Sequence, residues 1–442
     1  MSDALRDFEI PLYNQRRLLG VFLAAHAIPD AIHLMHTGVG CKPKAQRQIV
    51  RHDRMREAQN KMVWSDVSDA HLIKGSAAQL RDMTLETVRR RNAAGGPNRV
   101  GLVVISESTA MELTGIDLAE VAADLALELD CPVIHVPGAG HRGDHHSGYA
   151  AVTRAVIRHV PWDEPITTPQ AINLLGYPFD RYELDHAANL REFQRLLKGI
   201  GVSVGVTFLS GAPMAALARA AEAGGNLRLP HLLDGVAGGP DHAIPRREST
   251  AELPLSSGGT RQFLERCAAL ADVPAARVER VHDREQEKIA PLVRIARKEL
   301  GGRAALVLAD TPRAAGLLAT LTELDMSAPV VGLLDESLGG GAALEAALHR
   351  MGHALPAGTA VLPNPTARQV LEACERAGGP AGLDVALMPD LWLPPPLSDA
   401  LPRVELGFPS NHKRALFALP EVGYNGVVAL AQRLLDARYR VH

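Results

Sequence analysis

Cysteine is scarce in this chain of 442 residues, which has four, at positions 41, 131, 267 and 374. They lie far apart, no two of them form a CxxC pair, and none has the local spacing of a zinc site. One thiolate alone cannot complete a four-ligand iron–sulfur site. The scarcity therefore excludes a metal centre built from the cysteines of a single segment, and each thiol has to be interpreted separately.

Several other features are missing. The sequence has no run of about 18 apolar residues, so it predicts no membrane-spanning helix. The first residues lack a basic region followed by an apolar core, so no secretory signal is evident and we expect a cytoplasmic location. A net charge of −3 gives no support for a nucleic-acid or anionic-membrane partner. No GxxxxGK(S/T) motif occurs, which excludes a P-loop ATPase, and no Ser–His–Asp or Cys–His nucleophile set has supporting context.

What is present is a repeated alternation of short apolar runs with longer helical patterns. In the first cycle, residues 99–106 and 131–136 are predicted strands on either side of a helix at 117–129. Two further cycles follow, with strands predicted at 171–176, 202–208, 303–310 and 329–334, and helices at 190–199 and 313–324. Such alternation indicates parallel sheets with helices on both faces. The predicted fold class is α/β, with Rossmann-like domains.

The length of the chain exceeds what one ordinary core requires, and the length prior suggests about three domains. Proline-rich and glycine-rich breaks occur at 161–169 and 301–302. We therefore predict three α/β domains, at 1–165, 166–300 and 301–442. The carboxyl ends of their strands are the expected positions for ligand contacts.

Cys41 stands where an apolar run breaks into a glycine-flanked turn. Gly38 and Gly40 would permit the backbone to approach a bound cluster closely. Two interpretations stay open for this thiol. Cys41 is part of a metal site that another chain completes, or it is a half-buried cysteine in a glycine turn. The three remaining cysteines are predicted to be small buried hydrophobic residues.

Two polar groups follow predicted strands. Ser108 and Thr109 lie at the carboxyl end of the strand at 99–106, where they could contact a ligand or cap the next helix, and Glu107 is a weaker oxygen ligand. Thr311 is the predicted N-cap of the helix that follows the strand at 303–310, with Pro312 in its first turn.

The densest group of histidines comprises His141, His145 and His146, with Asp144 among them. Imidazoles and a carboxylate at this spacing are typical of some metal sites. Contact with a substrate or a partner subunit, and a plain surface role, are the alternatives. The neighbouring glycines favour a flexible loop.

Taken in order along the chain, several segments resemble component 1 of the nitrogenase superfamily, which includes nitrogenase subunits, cofactor-maturation scaffolds and light-independent tetrapyrrole reductases. The stretch from His36 to Cys41 is similar to the family's His-Gly-x-x-Gly-Cys ligand motif. Val104 to Asp117 is similar to the segment that normally carries another ligand cysteine. The other similar segments are Trp64 to Gly75, Pro137 to Tyr149, Leu253 to Leu264, Gly407 to His412 and Pro420 to Gly426.

The resemblance implies three domains around a cleft and an interface [4Fe–4S] cluster, with Cys41 as the metal ligand. Full cluster-binding subunits carry three ligand cysteines, but here no cysteine precedes Cys41 and Ser108 stands in the later position. The resemblance therefore implies a related component 1 subunit with more cysteines as partner, in a heterodimer or an α2β2 heterotetramer. It also implies an ATP-dependent iron–sulfur reductase as electron donor. A non-catalytic assembly scaffold and a homologue without a cluster stay open as alternatives.

Overall fold

Three separate parallel sheets form the fold, which confirms the predicted α/β class. The computed structural model describes residues 16–38, 61–95, 99–176, 185–232, 246–410, 417 and 419–439. Gly40 and Cys41 lie outside these residues. Every strand pairing among the named strands is parallel, and described helices lie between most consecutive strands of each sheet.

The first sheet has the strand order β2-β1-β3-β4. Its interior is formed by strands that are buried along most of their length, and His36 of β1 pairs with Glu107 of β3. Its strands are β1 (Ala31–His36), β2 (Met62–Trp64), β3 (Leu102–Glu107) and β4 (Val133–His135). Its helices are α1 (Arg17–His26), α2 (Asp69–Lys74), α3 (Ala77–Ala93), α4 (Thr109–Glu112), α5 (Leu118–Glu128) and α6 (His145–Ile157), with a 3-10 turn at Gly140–Arg142.

The second sheet has the strand order β6-β5-β7-β8. Its strands are β5 (Thr168–Leu175), β6 (Ser203–Thr207), β7 (Ala223–Arg228) and β8 (Arg247–Thr250). Its helices are α7 (His186–Ile200), α8 (Met214–Ala218), α9 (Ser257–Leu270) and α10 (Ala275–Leu300), with a 3-10 turn at Arg219–Glu222. The sequence analysis does not predict β7, because two glycines and an asparagine replace the expected apolar run. Gly224 is needed there, since a Cβ atom would lie 2.1 Å from the Pro169 carbonyl oxygen.

The third sheet has the strand order β11-β10-β9-β12-β13. Its strands are β9 (Ala304–Ala309), β10 (Ser327–Leu333), β11 (Ala360–Pro363), β12 (Val385–Met388) and β13 (Arg403–Glu405). Its helices are α11 (Thr311–Glu323), α12 (Gly340–Arg350), α13 (Ala367–Arg376), α14 (Pro395–Ser398) and α15 (Gly423–Tyr439), with a 3-10 turn at Pro380–Gly382. The helix α15 returns to the second domain, where it packs against α7, α9 and α10.

One prediction about helix capping was wrong by one residue. Asp310, and not Thr311, is the N-cap of α11, and its carboxylate accepts a hydrogen bond from the backbone N–H of Arg313 at 2.9 Å. The Thr311 hydroxyl instead donates to the Asp335 carboxylate at 2.7 Å. A carboxylate competes well for this position because it complements the positive end of the helix dipole.

Helices α1 and α6 cross at unusually short range because each presents a glycine to the other. A Cβ atom on Gly20 would lie 1.7 Å from the His145 carbonyl oxygen, and one on Gly148 would lie 2.0 Å from that of Arg17. Backbone atoms cannot move aside as a flexible side chain can. This crossing places the first turn of α6, with its two histidines, deep in the molecule.

We expect Gly148→Ala to lower the urea midpoint of unfolding, since the added methyl group would overlap the Arg17 carbonyl oxygen, and such overpacking typically costs about 1–3 kcal/mol. The matched control is Gly341→Ala in α12, where an added Cβ meets nothing nearer than 3.8 Å. The control should leave the midpoint unchanged or raise it slightly. Urea unfolding followed by circular dichroism measures both, and a Gly148→Ala midpoint at or above that of the native chain would contradict the close crossing.

Candidate functional site

The order of the strands creates a switch point in the first sheet between β1 and β3, because the chain leaves these two strands in opposite directions. In open α/β sheets, ligands bind in the crevice at such a point, beyond the carboxyl ends of the strands. Thr37 and Gly38 follow β1 there, and Ser108 follows β3. The backbone N–H of Ser108 donates to the carbonyl oxygen of His36 at 3.1 Å, which holds the two strand ends together.

Two polar atoms at this edge are buried and make no hydrogen bond within the described residues. They are the hydroxyl oxygen of Ser108 and Nδ1 of His36. Both residues are more than nine-tenths buried, with 7% of Ser108 and 1% of His36 exposed. A buried polar group without a hydrogen-bond partner destabilises the folded protein by about 1–3 kcal/mol. Both atoms are therefore available to form hydrogen bonds with a ligand at this edge.

The remaining polar groups at the edge are paired. His36 Nε2 lies 2.9 Å from the Ser76 hydroxyl, and His33 Nε2 lies 2.6 Å from that of Ser106. The Glu107 carboxylate is 2.8 Å from His135 Nε2. Burial lowers the pKa of His36, an effect that the charge of Glu107 opposes. A neutral His36 retains one nitrogen as an acceptor at the edge of the sheet.

Ser108 occupies the position expected from the sequence but does not cap the next helix. It is the N-cap residue of α4 by backbone geometry, yet its side chain makes no capping hydrogen bond. The capping interpretation of its hydroxyl group was therefore wrong. Gly38 pairs in a parallel bridge with Val67, and a Cβ atom on it would meet nothing nearer than 3.8 Å. Nothing in the described structure requires glycine at position 38.

The histidine group separates in the structure. The side chain of His141 is 60% exposed, and its Nε2 lies 3.4 Å from the Glu112 carboxylate. His145 begins α6, where it is buried with its ring centroid 4.1 Å from that of His146 and 6.3 Å from that of Phe408. The second half of the predicted flexible loop is thus the first turn of a buried helix. Within the described residues, no three histidine, cysteine, aspartate or glutamate side chains form a group that could hold a metal ion.

The described cysteines lie away from this edge. Cys131 precedes β4 and so stands at the opposite, amino-terminal edge of the first sheet, where burial raises its pKa to about 11. Cys267 in α9 and Cys374 in α13 are completely buried, and burial raises the pKa of both thiols. The prediction of a buried apolar residue is confirmed for Cys267 and Cys374 but was wrong for Cys131, which is only half-buried because it precedes β4 at the edge of the sheet. None of the three is placed to supply a thiolate beside Ser108.

Exposed aliphatic residues flank the switch point on both sides. Ile73 in α2 follows β2 and is 85% exposed, and Leu113 after α4 follows β3 and is 84% exposed. In the sheet, β1 lies between these two strands. These two side chains are exposed and available for contact with another protein.

The comparisons with known proteins agree with this architecture. The family model described as nitrogenase component 1 type oxidoreductase matches residues 17–438. This chain belongs to that family. A solved structure described as nitrogenase Cp1 at pH 6.5 has a TM-score of 0.78 to this chain at 16% identity, covering 99% of this chain and 94% of its own. A second, described as nitrogenase Cp1 at pH 5, has a TM-score of 0.73 at 16% identity, covering 100% and 90% respectively. A search of curated proteins finds no match.

Members of the component 1 family are oxidoreductases that bind iron–sulfur clusters, form multi-subunit assemblies and work with an ATP-dependent reductase. The Ser108 hydroxyl fits such a group at the switch point of the first sheet, because a buried hydroxyl with no acceptor among the described residues can donate to a cluster sulfide. None of the helices in the described part of the chain is long and apolar enough to cross a membrane.

A second polar site, which the sequence analysis largely missed, lies where the three domains meet. His231 follows β7 and Asp310 follows β9, each at the switch point of its own sheet. His231 Nε2 lies 2.9 Å from the Asp310 carboxylate, and the ring of His146 in α6 is centred 5.6 Å from that of His231. A tertiary contact between three distant segments leaves no local spacing in the sequence by which to predict it.

Burial of His33 should make folding stability depend on pH. Burial lowers its pKa to about 3, whereas an unfolded histidine titrates near 6.5. The unfolded chain therefore binds a proton that the folded chain does not, and stability is lost as the pH falls from about 6.5 towards 3. The loss due to this group should be about 1.4 kcal/mol per pH unit.

Replacing His33 with glutamine should remove the pH-dependent loss of stability that His33 causes. The urea midpoint of the variant should therefore change less than that of the native chain between pH 7 and pH 5.5. His349→Gln, an exposed site, is the matched control and should keep the native pH dependence. An equal loss of stability in His33→Gln and in the native chain would show that another group dominates.

Proposed function

We propose that this chain is the one-cysteine subunit of a nitrogenase-like complex. In this proposal Cys41 is the metal ligand of a [4Fe–4S]-type cluster at the interface with a related component 1 subunit, which supplies the other cysteines. The cluster relays electrons from an ATP-dependent reductase to a substrate or cofactor in the cleft of the complex. A heterodimer or an α2β2 heterotetramer would satisfy this arrangement.

The observation that carries the proposal is the pair of buried, unpartnered polar atoms at the switch point, on Ser108 and His36. In the sequence, Gly40 and Cys41 follow Gly38, which is the last described residue after β1. No described cysteine can reach this edge, so any further thiolate ligand has to come from outside the described residues. This distribution of the cysteines fits a metal site that a second chain completes.

When bound, the cluster would supply one-electron redox chemistry. The residues of this chain would hold and shield it: Cys41 by ligation, and Ser108 by donating its hydroxyl proton to a hydrogen bond. Hydrogen bonds of this kind to cluster sulfurs adjust the reduction potential. The Arg17 guanidinium donates a hydrogen bond to the Pro137 carbonyl oxygen at 2.7 Å. Its positive charge would offset part of the negative charge of the cluster.

The partner would cover the apolar rim formed by Ile73 and Leu113. Contact with the partner is also the simplest role for His141, which is exposed on the same side and pairs with Glu112 of α4. His145 and Gly38, in this proposal, would line the cluster site through their backbone: the first lies in a buried helix turn and the second in a parallel bridge.

We expect Cys41→Ala to abolish the cluster in the anaerobically purified complex with the related component 1 subunit, because the ligand sulfur is removed. Iron content and electron paramagnetic resonance spectra measure the effect. Cys131→Ala is the matched control, since Cys131 stands at the opposite edge of the same sheet, and it should retain native iron. Equal iron and identical spectra in the native and Cys41→Ala complexes would refute the ligand role.

Ser108→Ala should retain native iron but shift the midpoint potential or the spectrum of the cluster. Because the hydroxyl makes no capping bond and is buried without a partner among the described residues, the substitution should raise the urea midpoint of the isolated chain and not lower it. A spectrum and potential identical to those of the native complex would show that Ser108 does not contact the cluster.

The electron relay has its own test in the native complex. A cluster that the reductase cannot reduce in the presence of ATP would contradict the relay.

Leu113→Asp should prevent co-purification with the partner, because a carboxylate would be buried without a counter-charge in the interface. Leu127→Asp is the matched control. Leu127 is 88% exposed but lies near the end of α5, at the amino-terminal edge of the sheet, and this variant should bind the partner normally. Equal recovery of the partner with both variants would place the interface elsewhere.

A further inference from the structure

The junction cluster consists of five residues from the three domains: Asp144, His146, His231, Asp310 and Arg313. The first domain contributes Asp144 and His146 at the start of α6, the second contributes His231 after β7, and the third contributes Asp310 and Arg313 at the start of α11. His146 is 3% exposed, His231 6% and Arg313 3%. The junction cluster therefore places titratable and charged side chains in buried positions between the domains.

Charges in the cluster are paired across domain boundaries. The Asp310 carboxylate lies 2.9 Å from His231 Nε2 and 3.4 Å from Arg313 Nε. Arg313 also pairs with Glu421, whose backbone N–H donates to the Asn189 side chain of α7 at 2.7 Å. The second and third domains are thus joined by the contact between His231 and Asp310 and by the hydrogen bond from Glu421 to Asn189.

The first domain is attached to the third through Asp144. Besides capping α6, its carboxylate accepts hydrogen bonds from the backbone N–H groups of Glu336 and Ser337, at 3.0 and 3.2 Å. The Ser337 hydroxyl donates to the same carboxylate at 2.7 Å. Asp144 therefore connects α6 directly to the loop after β10.

His146 is the group in this junction whose protonation matters most. It is faced by His145 and Asp144 from its own helix, by His231 from the second domain and by Asp310 from the third. Burial holds its pKa well below the ordinary value, assisted by the neighbouring His145 and opposed by the two carboxylates. In the closed junction the imidazole is neutral, and protonating it would place a cation where water does not reach.

We propose that the junction cluster is an acid-released latch between the domains, in which proton uptake by His146 favours separation of the first domain from the other two. An imidazole that separation exposes to water would bind a proton near pH 6.5. The open state then holds one proton more than the closed state, so acidification shifts the equilibrium towards opening. Alkaline conditions favour the closed junction by the same linkage.

Opening would uncover the switch points of the second and third sheets, which His231 and Asp310 now fill. Crevices at these points are the usual ligand-binding positions of parallel sheets. The latch would therefore control access to the space between the domains. It depends on residues of this chain alone and stands independently of any cluster bound at Cys41.

Hydrogen–deuterium exchange of the full chain between pH 7.5 and pH 5.5 tests the latch, after correction for the intrinsic pH dependence of exchange. Peptides covering the start of α6 and residues 335–338 should exchange faster below pH 6.5, approaching tenfold per pH unit because one proton is linked to opening. In His146→Gln this additional pH dependence should disappear. The matched control His349→Gln, on the exposed face of α12, should keep it.

A second measurement uses the native chain and so does not require the variant to fold. Exchange of the imidazole C2 proton reports the pKa of each histidine, and His146 should titrate below 6.5. Titration of His146 at or above 6.5 would overturn the proposal. Faster hydrogen exchange at low pH that is equal in all peptides would also overturn the proposal, since it would indicate general acid unfolding. Faster exchange that is retained in His146→Gln would overturn it as well, since it would indicate a different titrating group.

Discussion

Burial of charge at the meeting point of the three domains constrains the rest of this structure. An unpaired buried carboxylate is costly, and removing one member of a buried pair typically destabilises a protein by about 3–5 kcal/mol. Asp310 therefore needs His231 and Arg313 at its side, and Arg313 in turn needs Glu421. These requirements fix the second sheet, the third sheet and the segment before α15 relative to one another.

The hydrophobic core follows the same arrangement. One continuous cluster of buried residues extends from Ile172 in the second sheet to Val307 in the third, and another joins Leu102 of the first sheet with Leu175 of the second. The domains therefore share apolar surfaces and do not have isolated cores. Polar groups concentrate at the carboxyl ends of the strands, since those ends face the junction and not the layers between helix and sheet.

The three switch points differ in how their polar groups are satisfied. In the second and third sheets, His231 and Asp310 bind each other across the domain boundary. At the switch point of the first sheet, Ser108 and His36 retain polar atoms without hydrogen-bond partners among the described residues. This contrast supports a division of roles, in which the first sheet carries the ligand site and the other two form the junction that encloses the space between domains.

The sequence by itself determined the α/β class, six of the thirteen described strands and the resemblance to the component 1 family, because burial periodicity and motif order are local properties. It also placed Ser108 at the end of a strand and Cys267 and Cys374 in buried helices. It did not predict β7, whose glycines are explained only by the backbone of β5 beside it, and it assigned the cap of α11 to Thr311 because Asp335 is remote in sequence. Only the tertiary structure decided that His145 and His146 are buried while His141 is exposed. The reason is that the glycine-mediated crossing of α1 and α6, and the partners supplied by the other two domains, come from segments that are far apart in the sequence.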